Sequence, residues 1–156
     1  MKIIKIMTLL LGIWYVISAL TIFPHHFAYF NEIAGGPENG YKISVGGNLD
    51  LGENMIRLKK YMDEKGIEKI KLSYEGASNP EYYGINYDYL PSGSLSYGQN
   101  ISKENCEPTT GIIDASASNI QGLYFKNKSC LSWLKAYKPI GKIGYSLFIY
   151  NITKTD

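Results

Sequence analysis

Two adjacent histidines, His25 and His26, are the only histidines in the 156-residue sequence and the first candidates for metal binding or base catalysis. Consecutive residues on a helix do not face each other, so the pair would chelate one ion poorly. A metal site would need further ligands from elsewhere, and a Ser/His/Asp site would need one of these histidines as its base. We therefore expect no metal and no cofactor, and we interpret the pair as part of a segment that leaves a membrane.

A first polar cluster lies in the stretch GGNLDLGEN, where Asn48, Asp50 and Glu53 surround a predicted helix start. A helix N-terminus presents free N–H groups, and carboxylates beside it could hold a cation or a sugar hydroxyl. The alternative is helix capping, with acids in the first turn that complement the helix dipole. We favour capping and keep these three side chains as ligand-binding candidates.

A second polar cluster lies in DASASNIQG, where Asp114 ends a predicted buried strand and Ser116 and Asn119 follow it. Ligands of α/β sheets gather beyond the carboxyl ends of the strands. Tyr74 ends another predicted strand and is expected to face the same crevice. An ordinary role in caps and turns is the alternative for this second set of ligand-binding candidates.

Several catalytic signatures are absent from the sequence. It has no G-x-S-x-G, no phosphate-binding Walker loop, no G-x-G-x-x-G after a strand and no H-E-x-x-H. We therefore name no catalytic residue and expect the chain not to be an enzyme on its own. The net charge of +2 gives no electrostatic footprint for nucleic acid.

The front of the sequence predicts a membrane span. Lys2 and Lys5 precede a stretch from Ile6 to Phe23 without a charge, and 18 helical residues reach roughly 27 Å. We predict an uncleaved signal anchor over residues 1–23, with the N-terminus inside and the remainder outside. The alternative is a cleaved signal peptide, although the apolar run exceeds the usual ~7–15 residues and no A-x-A-like site follows it.

The remainder predicts an interfacial helix and loop over residues 24–45, followed by an extracytoplasmic α/β domain over residues 46–156. Helical and strand patterns alternate in this domain, which indicates an α/β layer with at least three strands, parallel in part. Residues 86–110 predict a long polar loop. The stretch KIGYSLFIYNI predicts one final strand.

One helix of this domain has a clear pattern. Leu51, Met55, Leu58 and Met62 recur at helical spacing and predict an apolar stripe that faces the core. Gly66 is a suitable residue to end the helix.

The two cysteines and three sequons also bear on location. Outside the cell, Cys106 and Cys130 could close a loop of about 25 residues and stabilise the fold by roughly 3 kcal/mol. We favour this disulfide over two free thiols. Asn100, Asn127 and Asn151 begin N-x-S/T sequons and are predicted glycosylation sites.

Several motifs together resemble one family. PHHFAYFNEIAGGPENGY, NLDLGENMIRLKKYMDEKGIEKIKLSYEG, NPEYYGI, IQGLYF and KIGYSLFIYNI occur in the order found at the C-terminal end of polytopic membrane glycosyltransferases. These enzymes use lipid-phosphate sugars and are related to dolichyl-phosphate-mannose protein mannosyltransferases. The chain departs from the expected Asp-Ser-Asn-Leu-Asp-Trp-Gly-Gln-Asp around Asn48. The catalytic acids of that family lie near the start of a many-span chain, and no position here corresponds to them.

The resemblance implies a non-catalytic extracytoplasmic module. Its partners would be the lipid bilayer and a separate multi-span glycosyltransferase subunit engaged in protein or glycan glycosylation. The alternative is an independent membrane-anchored domain that binds a carbohydrate or another ligand through the tyrosine-rich loop between Tyr82 and Tyr97.

Overall fold

The computed structural model describes residues 2–47, 49, 51–92 and 106–154, and it begins with one long helix, α1 (Lys2–Thr21). The mean hydropathy of its most apolar window is 2.1, and only 6% of that window is buried. Twenty residues extend about 30 Å, which matches the hydrocarbon core of a bilayer. The helix is therefore long and apolar enough to cross a membrane, a property that it shares with signal sequences.

The predicted interfacial helix is replaced by shorter turns. Two 3₁₀ turns cover His26–Ala28 and Glu32–Ala34, and a single helical turn, α2, covers Pro37–Gly40. The Asn31 side chain accepts a hydrogen bond from the Ala34 N–H, which caps the second turn. The first turn ends at Tyr29, whose backbone is extended, and the second ends at Gly35, whose φ of 87° is left-handed. The amphipathic pattern therefore never forms one continuous helix.

The domain is built on a five-stranded mixed sheet. Its strand order is β2-β1-β3-β5-β4; β1 is parallel to both β2 and β3, while β5 is antiparallel to β3 and β4. This arrangement agrees with the expected α/β class and with at least three, partly parallel strands. The strands are β1 (Ile70–Ser73), β2 (Tyr87–Tyr89), β3 (Gly111–Ser116), β4 (Gly141–Ile143) and β5 (Leu147–Ile152).

Two local predictions about strands were wrong. The edge strand β2 lies inside the segment predicted to be loop, because its alternation is only three residues long. The predicted final strand is a hairpin of β4 and β5, joined by a turn in which Gly144 and Tyr145 have φ angles of 58° and 65°. Positive φ at both positions reverses the chain tightly enough to pair the two strands.

The helix α3 (Met55–Lys65) covers one face of the sheet. Met55, Leu58 and Met62 are buried against strand residues, as the stripe predicted. The helix ends at Gly66, which has a left-handed φ of 63°. The start of the helix was predicted too early. Leu51, the first residue of the predicted stripe, is exposed and precedes the helix, whose N-cap is Asn54.

The opposite face of the sheet is covered by the short helix α4 (Ala117–Ile120) and by the 3₁₀ turn Ser132–Ala136. Cys106 and Cys130 form a disulfide there, with 4.6 Å between their Cα atoms. The Cys130 side chain is part of this apolar layer, so the predicted bridge ties the start of β3 to the core.

Candidate functional site

The end of α1 is joined to the segment that follows it. The Ser18 hydroxyl is buried and donates a hydrogen bond of 2.7 Å to Glu32 Oε1. This hydrogen bond lowers the pKa of Glu32. Ile22 is also buried, and Ala28 lies in the apolar layer on the α4 side of the sheet. The last turn of α1 is therefore hydrogen-bonded to the segment that follows it, and that segment contributes Ala28 to the core of the domain.

His25 lies at the same junction. Its ring meets the Tyr145 ring edge to face, with 5.5 Å between the centroids. Burial lowers the pKa of His25, Arg57 lowers it further, and Glu53 opposes this effect. A lowered pKa keeps the imidazole neutral at pH 7. We call residues 22–34 the exit segment. His25 therefore connects the exit segment to the β4–β5 turn.

The side chains around His25 are engaged in structural hydrogen bonds. Glu53 accepts a bond of 2.9 Å from the Leu51 N–H, and Arg57 donates one of 2.9 Å to Asn54 Oδ1. Asn54 is fully buried and donates to the Ser146 hydroxyl at 2.9 Å. Among the described residues, no group of three His, Cys, Asp or Glu side chains could hold a metal ion.

The carboxyl ends of β1 and β3 bring two of the predicted candidates into one buried network. Ser116 Oγ accepts a hydrogen bond of 2.7 Å from the Glu75 N–H. Asn119 Nδ2 lies 3.0 Å from Ser73 Oγ and 3.3 Å from Ser92 Oγ. These side chains connect the segments that leave the two strands, a structural role close to the cap-and-turn alternative.

The remaining strand-end candidates are also enclosed. Tyr74 is buried on the α3 side of the sheet, and its carbonyl oxygen accepts a bond of 2.6 Å from Ser92. Asp114 does not end its strand: it is fully buried within β3, paired with Leu72 on β1 and Ile149 on β5.

Three predicted positions, Asn48, Asp50 and Asn100, lie outside the described residues. Of the other two sequon asparagines, Asn127 is exposed and its side chain accepts a hydrogen bond from the Ser129 N–H at 3.0 Å. Asn151 is exposed on β5. Both are on the surface, and their glycosylation stays a prediction.

A pocket of about 600 Å³ lies on the α4 side of the sheet, at the edge formed by β4. We call it the lysine–tyrosine pocket, because four lysines and four aromatic rings line it together with Gln121 and other neutral residues. No Asp or Glu is among its lining residues. The charged and aromatic members are Lys42, Lys135, Lys138, Lys142, Tyr41, Tyr137, Phe148 and Tyr150.

Aromatic rings and one lysine form the floor of this pocket. The Tyr41 and Phe148 rings lie 4.8 Å apart between centroids. The Lys142 ammonium lies 5.7 Å from the first ring and 5.2 Å from the second, and it binds Glu38 at 2.7 Å. Burial raises the pKa of Tyr150 far above its ordinary value, so its hydroxyl keeps its proton.

The lysine–tyrosine pocket was not predicted, although part of it is visible as a pattern in the sequence. The stretch KAYKPIGK contains Lys135, Lys138 and Lys142 at spacings of three and four, with Tyr137 between them. Clustered lysines create a positive surface that attracts anions. Tyr41 completes the pocket from almost a hundred residues away, and no local pattern predicts that approach.

Comparison with protein-family models, with curated proteins and with solved structures gives no match to this chain.

Proposed function

We propose that the chain is a single-pass membrane protein whose extracytoplasmic domain is a non-catalytic module that assists a multi-span glycosyltransferase. The expected orientation has the N-terminus inside and the α/β domain outside. The sequence resemblance supports the glycosyltransferase class. The apolar α1 helix and the Cys106–Cys130 disulfide support a membrane anchor with an oxidising environment beyond it.

The observation that carries the proposal is the packing of the exit segment between α1 and the domain. The Ser18–Glu32 hydrogen bond, the His25–Tyr145 ring contact and the buried Ala28 all occur within about ten residues of the helix end. A flexible tether would let the domain sample many orientations, whereas these contacts join the end of α1 to the exit segment and the exit segment to the domain. A domain held at the membrane surface can contact the outer loops of a multi-span neighbour.

Exposed apolar side chains continue from α1 into this exit segment. Phe23, Phe27 and Ile33 are 72%, 58% and 90% exposed. Aromatic residues at such positions prefer the boundary between headgroups and hydrocarbon. Insertion of these side chains into the boundary would remove their apolar area from water and fix the domain against the bilayer.

A groove beside the end of α1 offers a surface for the partner. It encloses about 210 Å³ and is lined by Tyr15, Ala19, Ile22, His26 and Tyr29. Small residues at a helix surface allow a second membrane helix to approach closely. We propose that a helix of the multi-span subunit packs into this groove.

Purification of the tagged full-length chain from its native membrane in mild detergent tests this function. We expect a multi-span glycosyltransferase, identified by mass spectrometry, to co-purify with it. Ala19→Trp fills the groove and should abolish co-purification. Leu20→Trp adds an indole at the next position, which is 70% exposed, and should leave co-purification unchanged.

Two results would contradict the proposal. The first is the absence of any multi-span glycosyltransferase from the purified material. The second is sugar transfer from a lipid-phosphate donor by the purified chain alone, since that would make the module catalytic.

A further inference from the structure

We propose that the lysine–tyrosine pocket binds an acidic sugar, meaning a saccharide ring that carries a carboxylate or a phosphate. This inference goes beyond the proposed docking function and uses a different surface from the groove beside α1. It also differs from the predicted ligand site between Tyr82 and Tyr97. Binding in the pocket does not depend on a partner subunit.

The charge of the pocket favours an anion. Four lysines line it with no lining carboxylate, whereas the whole chain has 16 basic and 14 acidic residues. A cleft lined by one sign of charge focuses its field and attracts ligands of the opposite sign. The pocket therefore carries a local excess of positive charge, although the charges of the whole chain are nearly balanced.

The lysines keep most of this charge available. Lys142 is neutralised by Glu38, but Lys42 and Lys135 donate to the uncharged side chains Asn39 and Gln121, each at 2.9 Å. An uncharged acceptor leaves the positive charge of an ammonium group in place. Each ammonium group has three donors, so both lysines can still bond a ligand anion.

Lys138 is the best-placed lysine for a direct ionic contact. Within the part of the chain that the structure describes, it forms no hydrogen bond and no ion pair with another side chain. It is exposed and precedes Pro139, which restricts the backbone beside it. A carboxylate or phosphate at the pocket mouth could approach it without displacing a protein partner.

The aromatic rings favour a ligand with a flat apolar face. Phe148 and Tyr150 project from the same face of β5, because alternate residues of a strand share a face. Tyr41 stands against Phe148. A saccharide ring has an apolar C–H face that can pack on such rings and hydroxyls that can bond to Gln121 and the tyrosine hydroxyls. A volume of about 600 Å³ is within the range of small-molecule sites.

The acidic sugar could be free in solution or part of a lipid headgroup. Both sources present the same chemistry, an anionic group attached to a polyhydroxylated ring. The pocket selects for that chemistry, and a comparison of membranes with and without an acidic glycolipid separates the two sources.

The test uses the full-length chain in nanodiscs of phosphatidylcholine, with glucuronate, glucose 6-phosphate and uncharged glucose as probes. Ligand-observed NMR and calorimetry measure binding. We expect glucuronate and glucose 6-phosphate to bind about tenfold or more tightly than glucose, since a hydrogen bond to a charged group is stronger than one between neutral groups. Lys138→Gln should weaken both anions about tenfold and leave glucose unchanged.

Lys60→Gln is the matched control, because Lys60 is an exposed lysine on α3, outside the pocket. It should leave all three affinities unchanged. Both substitutions affect exposed side chains, so the fold is expected to survive each. Unchanged melting temperatures would verify this.

The source of the ligand follows from the second set of nanodiscs, which contain glucuronosyl diacylglycerol, an acidic glycolipid. Loss of glucuronate binding in these nanodiscs would support a headgroup as the occupant. Unchanged glucuronate binding would support a free sugar.

Three results would overturn the proposal: no binding of either anion, equal binding of glucose, or equal effects of the Lys138 and Lys60 substitutions. Each of these can occur while the multi-span subunit still co-purifies, so this failure is distinct from failure of the docking function.

Discussion

Reduction of the Cys106–Cys130 disulfide should destabilise the domain by about 3 kcal/mol. The two cysteines are separated by 24 residues, and closing a loop of this length in the unfolded chain accounts for that magnitude. The loop contains β3, which pairs with both β1 and β5. Without the bridge, the unfolded chain gains freedom in the segment that must order to complete the sheet.

Urea unfolding of the full-length chain in mild detergent measures this effect. Trp133 lies three residues from Cys130 and is half-buried, so its fluorescence should report the unfolding of this layer. With a denaturant slope of about 2 kcal/mol/M, the midpoint should fall by about 1.5 M when a reductant is added. Reduction separates the two sulfur atoms but removes no side-chain atom from the apolar layer.

A variant with Cys106→Ala and Cys130→Ala is the control. Its urea midpoint should lie near that of the reduced protein and should not change when the reductant is added. Equal midpoints with and without reductant in the unsubstituted chain would refute the loop-closure reasoning. Alkylation of both thiols in the untreated folded protein would refute the bridge itself.

Three further substitutions test other parts of the structure. Gly144→Ala should cost about 2 kcal/mol or more of unfolding free energy by urea titration, because φ is positive there and a Cβ would lie 2.2 Å from Asn54 Oδ1; a cost near zero would contradict this packing. Leu58→Ala should cost about 2–5 kcal/mol at a fully buried site, against about 0.5 or less for the exposed Ile56→Ala. Burial lowers the pKa of His25 from 6.5, so the unfolded chain binds this proton before the folded chain as the pH falls. The melting temperature should therefore decrease as the pH is lowered through about 6.5, and the decrease should be smaller in His25→Gln.

The sequence predicted the elements whose signals are local. The stripe of α3 and its terminal Gly66 were recognised because a helix buries residues at regular spacing and ends readily at a glycine. The strand β1 was recognised from the alternation around Leu72. The start of α3 was misplaced because Leu51 continues the spacing, although the chain there forms turns and exposes that side chain.

The candidate sites depend on contacts that no local pattern contains. Ser116 and Asn119 were selected as ligands for a crevice, yet both are buried, and they form hydrogen bonds with the end of β1 and the residues just after it. Their polarity indicated a function, but polar side chains also satisfy the backbone at strand ends. The lysine–tyrosine pocket was missed for the converse reason: Tyr41 and Lys142 meet across about a hundred residues of sequence.

The β4–β5 turn shows how the junction at the end of α1 is maintained. Tyr145 has a φ of 65°, and a non-glycine residue in that region costs about 1–2 kcal/mol. A glycine would avoid the cost but would remove the ring that contacts His25. Edge-to-face ring contacts contribute about 0.5–1.5 kcal/mol, which offsets much of the backbone strain. The strained residue is therefore the one that contacts the exit segment, and this supports a domain that is packed directly on the segment following α1.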